Sequence, residues 1–235
     1  MDAAAAAELQ AAAVLACGWL LAYLAVRHVL CRSFSPDGAN RVISFLHALV
    51  GFALSTRAID FSRLREDVGT PATNAQLSAL VVSLGYFVYD TFCCLAIELT
   101  AGKVDVATLL HHVATVAGLV VGVTRRTSGH ELLMCLALME VANPFMHLRS
   151  ILREAGLGKS TLADVNDVVF ALLFLFSRCI VGAPVVYWTV TSSRTPFLVK
   201  VGGLGILGVS WFWARKLVLI IVRKTRKAGG EGKRS

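Results

Sequence analysis

Seven long apolar stretches alternate with short polar breaks along the chain. They run Leu9 to Leu30, Val42 to Ile59, Leu77 to Leu99, Val104 to Val123, Leu132 to Leu152, Val168 to Val190 and Phe197 to Val222. The breaks carry turn residues and charge: Cys31-Arg-Ser-Phe-Ser-Pro-Asp-Gly38, Phe61-Ser-Arg-Leu-Arg-Glu-Asp-Val-Gly-Thr-Pro71, Thr100-Ala-Gly-Lys103, Arg125-Arg-Thr-Ser-Gly129, Arg153-Glu-Ala-Gly-Leu-Gly-Lys159 and Ser192-Ser-Arg-Thr-Pro196. A bilayer crossing needs about 20 apolar residues as a helix. Barrel strands would be about 10 residues of alternating polarity, and lipid tolerates no open sheet edge. The pattern therefore predicts an all-α, multi-pass integral membrane bundle of about seven transmembrane helices.

Composition strengthens this reading. With 56% hydrophobic and 16% charged residues and a mean hydropathy of +0.68, too little polar surface is available to clothe a water-soluble globule. The formal charge of +8 does not point to nucleic acid. Much of it lies in Arg215, Lys216, Arg223, Lys224, Arg226, Lys227, Lys233 and Arg234, beside an apolar stretch, where anionic lipid is the expected partner. The first stretch is rich in Ala, but Asp2 and Glu8 are acidic and no basic residue precedes it, so an uncleaved helix is expected. Arg27, Arg32 and Arg41, then Arg149, Arg153 and Lys159, then the basic C-terminus place the N-terminus outside and the C-terminus in the cytosol; Arg57, Arg63, Arg65, Arg125 and Arg126 run against that count.

Cys17, Cys31, Cys93, Cys94, Cys135 and Cys179 fall within or at the edges of apolar stretches, without paired loop spacing. They read as packing thiols, and neither disulfide nor metal is assigned. No cofactor is implied.

The candidate chemistry lies in ionisable residues at membrane depth: Asp90, Glu98, Asp105, His111, His112, Glu140 and Arg178. Such groups need a partner or a wet cavity. Asp90 and Glu98 sit eight apart, which on a helix separates them by about 80° and about 12 Å of rise, too far for one carboxylate dyad. Glu98 reads first as a residue surfacing at its helix end. Imidazole exchanges a proton near neutral pH, so His111-His112 in an apolar run is the sharpest feature. Adjacent helical positions diverge by about 100°, which argues against one shared metal and lets one ring face a cavity while the other turns to a neighbour. The plainer alternative is a packing hydrogen bond, to a carbonyl or to Thr108 or Thr115. Haem ligation by histidines from separate helices is a further alternative, against which the other histidines, His28, His47, His130 and His147, read mostly as helix-end residues. Arg178 needs an anion, which Glu140 or Asp90 would supply, or a lipid headgroup. Asp164, Asn166 and Asp167 read as helix caps, with substrate contact as the alternative. Small residues Ala107, Ala114, Ala117 and Gly118, with Gly118-Leu-Val-Val-Gly122, allow close helix packing.

Tyr86-Phe-Val-Tyr-Asp90, Leu109-Leu-His-His-Val-Ala-Thr-Val116, Glu140-Val-Ala-Asn-Pro-Phe-Met-His-Leu-Arg149 and Ser177-Arg178, in that order, resemble the TLC-domain family. That family includes ceramide synthases, translocon-associated proteins and small TLC domain-containing proteins, and the chain most resembles the last group. The resemblance implies a first helix over 1–34, a six-helix TLC-like core over 35–224 and a basic cytosolic tail over 225–235. It makes His111, His112 and Asp90 the candidate catalytic groups, with His111 or His112 as general base or acyl carrier, and Glu140, Asn143, Arg178 and Tyr89 the candidate lipid or substrate contacts. Membrane lipids, and acyl-coenzyme A as acyl donor, are the implied partners. In ceramide synthases the motif continues into a His-Asp pair and a further Asp, whereas this chain has Leu138-Met-Glu140 and Asn143-Pro144. Three readings stay open: an intramembrane acyltransferase, a non-catalytic lipid-binding or lipid-composition protein, and a trafficking or translocon accessory. An endomembrane, the endoplasmic reticulum first, is the expected location; Lys233-Arg-Ser235 is no clean dilysine signal.

Overall fold

The computed structural model describes residues 3–231, with side chains described through Arg223. Lys233 and Arg234 lie outside the described residues, as do the side chains of Lys224, Arg226 and Lys227. Nine α-helices are present among the described residues: α1 (Ala3–Ala25), α2 (Pro36–Ala58), α3 (Asn74–Thr100), α4 (Val106–Arg125), α5 (Gly129–Glu140), α6 (Asn143–Glu154), α7 (Thr161–Phe174), α8 (Gly182–Thr191) and α9 (Phe197–Glu231). They make seven spans long and apolar enough to cross a membrane. The protein is thus a multi-pass helical membrane protein.

Three of the seven spans are composite: in the first, α1 runs on into a π-helical turn, Val26–Leu30. Val141 and Ala142 interrupt the fifth, and Pro144 restarts it near the N-terminus of α6, where its missing N–H leaves no interior hydrogen bond unmade. The sixth is continuous through a π-helical turn, Leu175–Val181, which joins α7 to α8. Such turns widen the backbone locally and recur at functional sites.

The starts of α2, α3, α4 and α7 carry side-chain caps. Ser35 Oγ accepts from Gly38 N at 3.0 Å ahead of Pro36. Thr73 and Gln76 form a reciprocal capping box. Asp105 Oδ1 accepts from Ala107 N at 3.0 Å. The cap of α7 is Ser160, whose Oγ accepts from Ala163 N at 3.3 Å. This corrects the capping expected of Asp164, Asn166 and Asp167: Ser160 comes first in the chain and takes the cap. Asp164 is exposed in the first turn, Asn166 donates to Phe145 O at 2.8 Å, and Asp167 pairs with Arg149 at 3.1 Å.

The second to seventh spans form a closed ring in which α2 packs on α3, α3 on α4, α4 on α9, α9 on α8, α7 on α6 and α6 on α2. Helix α1 lies outside the ring against α3. Gly85 permits that approach, since a Cβ there would sit 2.8 Å from Ala12 O and 2.7 Å from Leu15 Cβ.

One end of the ring is stapled. Ala72 N donates to Arg126 O at 2.9 Å and Ser128 N to Thr70 O at 3.0 Å. The buried Glu131 carboxylate accepts from Gly69 N at 3.1 Å on both oxygens and from Thr195 Oγ1 at 3.1 Å. Gly69 has φ +75°, a left-handed conformation that glycine adopts without strain. Arg126 also reaches Glu8 of α1 at 2.5 Å. The opposite end, where α3 and α6 finish and α2, α4 and α7 begin, holds a large cavity.

Candidate functional site

The cavity has a volume of about 570 Å³, and Asp90, His111, His112, Glu140, Asn143 and Arg178 all line it. They come from four spans, so six of the seven candidate residues named from the sequence converge on one wall system. Tyr89 does not line it. It stands one residue back, where its hydroxyl donates to Asn40 Oδ1 at 2.6 Å.

Asp90 is the hub of the first of two polar chains. Its Oδ1 accepts from Asn40 Nδ2 at 2.9 Å, and its Oδ2 lies 3.5 Å from His112 Nε2. Cys94 Sγ sits 3.5 Å from Oδ1. Tyr89, Asn40 and Asp90 therefore hold the carboxylate in one orientation toward α4, and a carboxylate so placed orients an imidazole and stabilises its protonated form. Glu98 joins no dyad with Asp90. Its Oε2 accepts from Asp105 N at 3.0 Å and ties the end of α3 to the start of α4. Asp105, expected at membrane depth, is exposed and serves as the N-cap of α4.

The second chain links α7–α8 to α5–α6. Arg178 Nη2 donates to Asn143 Oδ1 at 3.0 Å and to Met139 O at 3.2 Å, and Asn143 Nδ2 donates to Glu140 Oε2 at 3.0 Å. Arg178 was expected to meet an anion, from Glu140, Asp90 or a lipid headgroup, or a wet cavity, and it lines the cavity. Asn143, first residue of α6 after the break at Val141–Ala142, stands between Arg178 and Glu140. The guanidinium lies over the Phe174 ring, 5.0 Å from its centroid.

The two adjacent histidines diverge as helical geometry requires, yet both line the cavity. His112 turns toward α3, its ring 6.3 Å from that of Phe87, and His111 turns toward α9, its ring 5.4 Å from that of Trp213. The cavity is wide enough to take both directions. Thr115 hydrogen-bonds the His111 carbonyl at 2.8 Å, not its ring.

Sequence reasoning missed part of the surrounding shell. His47 lies mid-helix on α2, stacked on Tyr86 at 3.6 Å between centroids with rings 5° from parallel, and its Nδ1 is 3.9 Å from Glu140 Oε1. His147, mid-helix on α6, lines the cavity. Both correct the expectation that these histidines sit mostly at helix ends. A signal existed: Asn40, Ser44, His47, Gly51 and Ser55 recur every three or four residues, and all are buried. A polar stripe at helical spacing on an apolar span marks a face turned into the bundle.

The arrangement pairs a carboxylate-supported imidazole with a buried guanidinium across one chamber, at the end of the ring away from the staple. A family model described as TLC domain matches residues 37–223, from the start of the second span to the end of the seventh. The chain is also similar to TLC domain-containing protein 2 of Danio rerio, at 29% identity over 132 residues, which is 55% of this chain and 52% of that protein. The chain thus spans about half the length of this curated relative. With the model covering nearly all of the six-span ring, the chain belongs to the TLC domain family.

Proposed function

We infer that the protein acts on membrane lipid and that its cavity carries acyl transfer from acyl-coenzyme A to a lipid amine or hydroxyl. The observation that carries this reading is the Asp90–His112 pair at 3.5 Å on the wall of the 570 Å³ cavity. Family membership supports the lipid-related part. In the proposed step, His112 takes the proton from the lipid amine or hydroxyl as that group attacks the thioester carbonyl. Coenzyme A leaves as the thiolate and recovers the proton from the imidazolium. Asp90 holds the ring and offsets its transient charge, and His111 contributes to the same wall. Glu140 and Asn143 position Arg178, while Tyr89 acts through Asn40 to hold Asp90.

A second reading, lipid binding without catalysis, is favoured by one observation. Asp90 already has Asn40 as a partner, and its 3.5 Å approach to His112 exceeds a formed hydrogen bond. An endomembrane location with a cytosolic C-terminus completes the proposal and would place the cavity end toward the acyl donor.

The test uses purified protein in bilayers with labelled acyl-coenzyme A and a total lipid extract, alongside lipidomics of cells lacking the chain and rescued with variants. Label in one lipid class with wild type, and none with Asp90→Asn, supports acyl transfer. No transfer in vitro, together with full cellular rescue by Asp90→Asn and by the double His111→Ala, His112→Ala variant, supports binding without catalysis.

A further inference from the structure

We propose that Arg178 is the receptor for a phosphate ester in this cavity, so that the ligand is defined by a phosphate group and not by an amine or a plain hydroxyl. The inference rests on the reading of the cavity as the lipid-handling site and names what enters it.

Arg178 is only 6% exposed, yet it lines the cavity. Its Nη2 is engaged by Asn143 and Met139, whereas neither Nε nor Nη1 has an acceptor among the described residues. A guanidinium cannot shed its proton, and buried N–H groups without acceptors are costly. A ligand oxygen is the simplest means of satisfying them. The face of the group rests on Phe174, so its edge is what remains to offer, and guanidinium edges match phosphate oxygens in geometry and charge. The cavity's other arginines compete less well. Arg41 is paired with Asp37 at 2.9 Å and Arg149 with Asp167 at 3.1 Å, and Arg153 is exposed, so its donors are already open to water. The π-helical turn bears on the same point, since it carries Arg178, buried, on the wall of the cavity that His111 and His112 also line.

The phosphate has two possible sources, a phospholipid headgroup or coenzyme A. Affinity of the purified full chain in nanodiscs would be measured for lysophosphatidate against a monoacylglycerol of the same chain, and for coenzyme A against pantetheine. At least a tenfold preference is expected for the phosphate-bearing member of one pair, and that pair assigns the source. Arg178→Gln is expected to abolish the preference, and Arg178→Lys to retain part of it. Equal affinity within both pairs for the wild type overturns the proposal without any variant, as does a preference that survives Arg178→Gln. Asp90→Asn separates the two readings: it is expected to lose acyl transfer while keeping the phosphate preference. Transfer by a wild type that shows no preference sinks the Arg178 proposal alone. A preference without transfer under any condition sinks acyl transfer alone.

Discussion

His112 Nε2 lies 3.5 Å from Asp90 Oδ2, across the packing seam between α4 and α3. The distance is longer than a formed hydrogen bond, and catalytic contacts are commonly longer before substrate arrives. If the pair supplies general base catalysis, Asp90→Asn and His112→Gln should each lower acyl-transfer turnover by roughly 10²–10⁴-fold. The double variant should lose little more than the worse single one, because groups acting as a unit are not additive. Product formation at saturating donor is the measurement, and fully additive losses would count against a shared role.

Tyr89 should act through position alone. Tyr89→Phe removes the hydroxyl that holds Asn40 at 2.6 Å but leaves the ring packed. Turnover should fall by about tenfold with substrate KM unchanged, a loss of about 1.4 kcal/mol in transition-state stabilisation. A raised KM with unaltered turnover would instead put Tyr89 in contact with substrate.

Asn143 is the link between opposite charges. Asn143→Leu leaves Arg178 and Glu140 buried without their shared partner, and lost hydrogen bonds to charged groups are each worth about 1.5–3 kcal/mol. Thermal unfolding in detergent should show the fold weakened by about 3 kcal/mol. An unchanged midpoint would mean that Arg178 and Glu140 find each other directly.

At the stapled end, Glu131→Ala removes the acceptor of Gly69 N and Thr195 Oγ1. The fold should lose about 2–4 kcal/mol, as for a buried charged acceptor with several donors. Proteolysis of the connection between α2 and α3 should quicken, while bound-lipid affinity at the far end of the ring holds. Loss of lipid binding at unchanged proteolysis would contradict this division of labour.

Gly85→Leu tests the seat of α1. Its side chain would enter space now held by Leu15 and the Ala12 carbonyl, and forcing atoms into a packed seam costs about 1–3 kcal/mol. A disulfide trap engineered between α1 and α3 should form more slowly than in the parent. Equal trapping would show that α1 rides on some other contact.

Much of the molecule was legible in one dimension. Seven apolar stretches separated by turn chemistry set the spans, because lipid leaves the backbone no alternative to the helix. Helix starts were less legible: Asp105, read as a group at membrane depth, and Ser160, ahead of the Asp164, Asn166 and Asp167 read as caps, hold the N-caps of α4 and α7, because a cap depends on which residue leaves the helical backbone. The cost of a charge in hydrocarbon singled out Asp90, His111, His112, Glu140 and Arg178 before any fold was known. What the sequence could not supply was rotation and adjacency. Whether His111 or His112 would meet Asp90, and whether Arg178 would reach Glu140 directly or through Asn143, depends on how four spans turn about their axes. That is decided by contacts far apart in the chain: Gly85 under α1, the break before Pro144, and the π-helical turn at Leu175–Val181. Local chemistry determined the helices and the groups that needed a polar environment, and long-range packing alone decided which of those groups share it.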